Sequence, residues 1–95
     1  MKSLPQLLAV AANRLSQSYD LLDPRLKPIS GMHVFILECV EVLKAGDLSS
    51  DQRKRLWQIF APTSDWDDTV DDAQLGNEVF SILDNLYGKE IKRVV

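Results

Sequence analysis

The sequence predicts an all-α fold: a compact, four-helix bundle-like single domain over residues 1–95, with a short helical turn ahead of the last helix. Three observations carry this. Apolar residues recur at three- and four-residue spacing in four separate segments, the period of a helix with one buried face. No segment alternates apolar and polar residues as a half-buried strand would. The breaks between segments hold prolines, glycines and capping residues, the ordinary punctuation of helices.

In the first segment Leu4, Leu8, Ala11, Leu15, Tyr19 and Leu22 share one helical face. Pro5 fits a first turn, where its missing N–H is not needed. "DPRLKP", Asp23 to Pro28, interrupts the pattern with two prolines. Ser30 is the expected cap of a second helix, Gly31 to Ala45, with Gly46 as its stop. On that helix Met32, Phe35, Ile36, Cys39, Val40 and Leu43 fill a broad apolar arc. Val34 and Leu37 fall among Glu38, Glu41 and Lys44 on the other side. A helix apolar over more than half its girth is expected in a central position, the alternative being a partner on its outer side.

Ser49 followed by Gln52 is a capping-box pattern and opens a third helix, which buries Leu56, Ile59 and Phe60 and ends at Ala61–Pro62. The last helix carries the stripe Leu75, Val79, Ile82, Leu83 and Leu86, flanked by Phe80 and Tyr87, with Gly88 as its expected stop. The predicted core includes Leu15, Phe35, Cys39, Leu43, Phe60, Val79 and Leu83.

Apolar content of 45% and charged content of 26% are those of an ordinary soluble protein. The longest apolar run, Val34 to Leu37, is far short of a membrane span, and no secretory signal or membrane association is expected. One cysteine allows no internal disulfide, and a cytoplasmic, bacterial-type protein is the simplest expectation.

The charge is unevenly placed. Residues 1–62 carry eight Lys/Arg and six Asp/Glu, whereas residues 63–95 carry three and eight. Between Thr63 and Asp84 there are seven acids and no base. This end would repel phosphates, so direct nucleic-acid binding is not expected; it suits a basic protein partner.

Five aspartates, Asp65, Asp67, Asp68, Asp71 and Asp72, lie within eight residues around Trp66. An EF-hand calcium loop started at Asp65 needs glycine at its sixth position and glutamate at its twelfth. The chain has Val70 and Gly76 there, so no metal site is expected. Capping explains part of the cluster: Ser64 with Asp67 resembles the start of a short helix, and Asp71 with Gln74 resembles a capping box for the last helix. Capping does not use all five, because neighbouring like charges repel, and the surplus suggests a docking surface. Trp66 is either an exposed anchor in that surface or a lid folded onto Trp57 or Phe60. Burial of an indole favours the lid.

Catalytic chemistry finds little footing. His33 and Cys39 stand six residues apart on one helix, about 120° around it, and cannot form a thiol–imidazole pair. Cys39 is expected as a buried, inert thiol. Glu38 and Glu41 share a face without the Glu-x-x-His partners of a helical di-metal site. The four glycines are isolated, so no phosphate loop exists. "RKR", Arg53 to Arg55, is too short for a nucleic-acid tract and is expected on the wet side of the third helix, facing the acidic segment.

The expected function is therefore that of a non-enzymatic, cofactor-free, acidic protein-binding module. Its candidate contacts are Asp65, Trp66, Asp67, Asp68, Asp71 and Asp72. Size, acidity and lack of catalytic residues are a profile shared with bacterial immunity proteins and antitoxin-type inhibitors, whose partners are toxins or nucleases. That profile is generic, and no motif here matches such a family residue by residue. Two alternatives stand beside it: a small enzyme or metal protein built on His33 with acidic residues, and a homodimer through the second helix.

Overall fold

A computed structural model describes residues 3–92. Five α-helices account for the regular structure among them: α1 (Leu4–Ser18), α2 (Lys27–Ala45), α3 (Ser50–Phe60), α4 (Asp65–Thr69) and α5 (Ala73–Lys92). A 3-10 turn, Pro24–Leu26, precedes α2. The fold is all-α, with four longer helices and the expected short one before the last. None of the described helices is long and apolar enough to cross a membrane. The chain divides after Asp47 into two compact units, one built on α1 and α2, the other on α3, α4 and α5.

In the first unit α1 packs on α2. Leu4, Leu7, Leu8, Ala11, Ala12 and Leu15 form the buried stripe of α1, and Gln6 Oε1 accepts from the Ser3 N–H at its start. The predicted stripe overruns the helix. Tyr19 is already the extended residue closing α1, and Leu22 is 91% exposed. Two aspartates explain the break. Asp20 Oδ1 accepts from the Leu22 N–H, and Asp23 Oδ1 from the Arg25 N–H, so the backbone is taken into side-chain-closed turns.

α2 starts four residues earlier than expected. Leu26 precedes it, Pro28 sits in its first turn, and Ser30 lies inside it rather than capping it. Proline is at home there, because the first-turn N–H groups have no partner within the helix. Met32, Ile36, Cys39 and Val40 are buried, while Phe35 and Leu43 of the predicted core are only half-buried. Val34 and Leu37 remain 49% and 42% exposed, so α2 is not enclosed on every side. Gly46 closes the helix as predicted, its N–H reaching the Val42 carbonyl.

In the second unit α3 packs on α5, and α4 touches both. The capping box of α3 forms as predicted: the Ser49 N–H donates to Gln52 Oε1 at 3.0 Å, and the Gln52 N–H to Ser49 Oγ at 3.2 Å. Leu48, Leu56, Ile59, Phe60, Trp66, Val70, Leu75, Val79 and Leu83 make up the apolar interior. Leu86, assigned to the same stripe, is 58% exposed.

Gly88 does not stop α5, which continues to Lys92. The turn around it is pinned to α3. Arg53 lies 4.9 Å from the Tyr87 ring centre and its Nη1 is 3.0 Å from Glu90 Oε2, on either side of the glycine. Those contacts offset the roughly 1 kcal/mol that glycine costs inside a helix.

Candidate functional site

The acidic segment runs from the end of α3 to the start of α5. Pro62 and Thr63 turn the chain, and Thr63 adopts φ 62°, the left-handed region that a β-branched residue rarely enters. Its N–H donates to Asp67 Oδ2 at 2.8 Å and its hydroxyl to the Pro62 carbonyl at 2.6 Å. α4 follows, and Ser64 precedes it as expected, though its side chain makes no capping hydrogen bond. Asp67 closes the turn instead.

Trp66 is the centre of the segment. It is fully buried, packed on Phe60 with ring centres 5.1 Å apart, and its Nε1 donates to the Asp72 carbonyl at 2.9 Å. The lid reading therefore describes it, with Phe60 beneath. Trp57 is occupied elsewhere, against Phe80 and Asp84. Trp66, expected among the partner contacts, has its ring and its one polar atom both engaged inside this unit.

Beneath the indole lies Gly76, buried in the first turns of α5. A Cβ built there would sit 2.8 Å from Trp66 Nε1 and closer still to Cδ1. The ring can lie on α5 only because this position has no side chain. The sequence shows Gly76 only as a residue unfit to end a calcium loop, since a lone glycine in a helical pattern carries no signal of what lies on it.

The five aspartates separate into two groups. Asp65, Asp67 and Asp72 are engaged. Asp65 Oδ2 is 3.3 Å from Arg55 Nη1, so one residue of the basic triplet does face the acidic segment. Asp67 holds the Thr63 turn. Asp72, half-buried, caps α5 by accepting from the Leu75 N–H at 3.1 Å. The cap was expected one residue earlier, at Asp71. The helix begins at Ala73, and only the residue immediately before it can reach the third helical N–H. The side chains of Asp68 and Asp71 are exposed and form no hydrogen bond or ion pair among the described residues, while the Asp68 N–H donates to the Ser64 carbonyl within the turn of α4.

The other candidates lie in the first unit. Cys39 is fully buried on α2, and removal from water, helped by the nearby Glu38 charge, pushes its thiol up to about 11. His33 is half-buried, six residues before it. Glu41 pairs with Lys44 at 3.1 Å on the solvated side of α2. Among the described residues no group of three or more His, Cys, Asp or Glu side chains is placed to hold a metal ion.

Compared with known proteins, the chain matches no family model, no curated protein and no solved structure.

Proposed function

We propose that this chain is a small acidic binding module that docks on a basic protein in the cytoplasm, as an inhibitor of the immunity or antitoxin type would dock on a toxin or nuclease. The observation that supports it is the surplus of charge left after capping. The carboxylates of Asp68 and Asp71 are exposed and serve no turn, cap or ion pair among the described residues, while those of their neighbours serve all three. Like charges held close on one short segment repel one another. A basic partner removes that cost and is steered toward it over several ångströms. The contact set is therefore Asp68 and Asp71 at the centre, with Asp65 and Asp67 at the margin. Asp72 acts by fixing the start of α5.

The test follows from the division. Asp68→Asn with Asp71→Asn removes two charges and no hydrogen bond that holds the fold. Partners captured from native lysate by the wild-type chain at low salt are identified, and association with each purified partner is timed against both chains. The expected outcome is a basic partner whose association slows in the double variant and loses part of its salt dependence. Equal rates and equal salt slopes for every captured protein would dismiss the acidic segment as the docking surface.

A further inference from the structure

We propose that the outer face of α2 is a self-association surface whose occupant is α2 of a second copy of this chain, running antiparallel and centred on Val34. The buried side of α2 is Met32, Ile36, Cys39 and Val40. On the opposite side Lys27, Gly31, Val34, Glu38 and Glu41 recur at alternating spacings of four and three residues. That is the 3.5-residue period of a seam between two helices. Val34 and Leu37 are half-exposed on it, and a Cβ built on Gly31 would meet nothing within 4 Å.

The charges select the partner and its direction. Lys27 and Glu41 each stand seven residues from Val34, about 10 Å along the axis at 1.5 Å per residue. A two-fold axis at Val34 sets Lys27 of each copy against Glu41 of the other, giving two ion pairs from one surface. A parallel pair would oppose Lys27 to Lys27 and Glu41 to Glu41. The same axis brings Gly31 of one copy level with Leu37 of the other, each three residues from Val34, and the glycine's missing side chain lets the two helices approach closely there. It also sets Glu38 near the N-terminal turns of the second helix around Ser30, where an acid is favoured.

Lys27 has no ion pair among the described residues. Glu41 holds only Lys44, through side chains 73% and 63% exposed, a loose pair that leaves room for a second cation. Arg25, close by, is already engaged by Asp23. The surface is small beside a standard interface, so the dimer is weak and concentration-dependent.

Sedimentation equilibrium on the full chain, from micromolar to millimolar at low salt, tests this with exposed-residue variants whose helicity is checked by circular dichroism. Wild type should self-associate, and Val34→Lys should abolish it. Lys27→Glu alone and Glu41→Lys alone each turn both ion pairs repulsive and should weaken association about fivefold or more. The decisive arm mixes the two single variants. In the mixed dimer every pair is complementary again, so association should return to the wild-type level although each variant alone is impaired. A chain monomeric at all concentrations overturns the proposal, as does self-association indifferent to Val34→Lys or a mixture no stronger than its parts. None of these variants touches the acidic segment, so the outcome is independent of that docking role.

Discussion

The indole of Trp66 rests on the bare backbone of Gly76, ten residues further along and on another helix. A Cβ at Gly76 would fall 2.8 Å from the ring nitrogen, which itself donates to Asp72, the residue that caps the helix. One tryptophan thus seals the α3–α5 interior and fixes where α5 begins.

Gly76→Ala tests this contact by its sign. At an open helical position alanine would stabilise by about 1 kcal/mol over glycine. Beneath the indole it must displace the ring, an overpacking cost of about 1–3 kcal/mol. Net destabilisation in chemical denaturation is expected, with Trp66 fluorescence shifted toward that of a wetter indole. A gain in stability would remove the ring from Gly76.

Leu83→Ala should cost about 2–5 kcal/mol, because Leu83 is fully buried and the rigid helices around it cannot close the void. Leu86→Ala, one turn on and 58% exposed, should cost well under half of that. Urea titrations of the two variants give the comparison directly.

The capping assignment predicts unlike effects for adjacent aspartates. Asp72→Ala removes the acceptor of the Leu75 N–H and should cost about 1 kcal/mol. Asp71→Ala removes an exposed side chain that holds nothing described and should change stability by less than about 0.5 kcal/mol. The reverse order in thermal melts would return the cap to Asp71.

The cap shows where the sequence was legible and where it was not. Periodicity located all four long helices, because burial of one helical face is written in the residue types at three- and four-residue spacing. Ser49 and Gln52 marked the start of α3 because the motif is local. The start of α5 was missed by one residue because both Asp71 and Asp72 are chemically able caps, and only the path of the backbone chooses between them. Gly88 was misplaced as a stop because what carries the helix past it, the Arg53 contacts to Tyr87 and Glu90, lies thirty-odd residues away in sequence. Within the candidate site the five acids and the buried tryptophan were visible. Which acids are spent on the fold was not: Asp67 and Asp72 bond N–H groups three or four residues away that only the local backbone path brings within reach, and Asp65 meets Arg55 only once α4 lies against α3.

Thr63 holds a left-handed conformation that glycine adopts freely. Thr63→Gly should therefore leave the Asp67 carboxylate bonded to the same N–H and raise stability by about 1 kcal/mol, the left-handed penalty being larger than the lost hydroxyl contact at an exposed turn. A fall in the denaturation midpoint would show that the threonine hydroxyl outweighs the strain.

Cys39 links burial to alkaline stability. Its thiol ordinarily ionises near 9.0 but is held up to about 11 in the folded chain, first by removal from water and then by the Glu38 charge. Between those values the unfolded chain has released the proton and the folded chain still binds it. The unfolding free energy therefore falls as pH rises through this window: the thiol's contribution is complete below about pH 9 and is lost as pH approaches 11. Cys39→Ser would keep the group un-ionised across the window and Cys39→Ala would remove it, so both variants should show a flatter decline in stability from pH 9 to 11 than wild type, whatever their absolute losses from altered packing. The same burial predicts that a disulfide reagent at pH 8 modifies Cys39 in the native chain no faster than the chain opens, and within seconds once denaturant is added. Rapid labelling of the native chain would place the thiol at the surface, and the alkaline effect would then disappear with it.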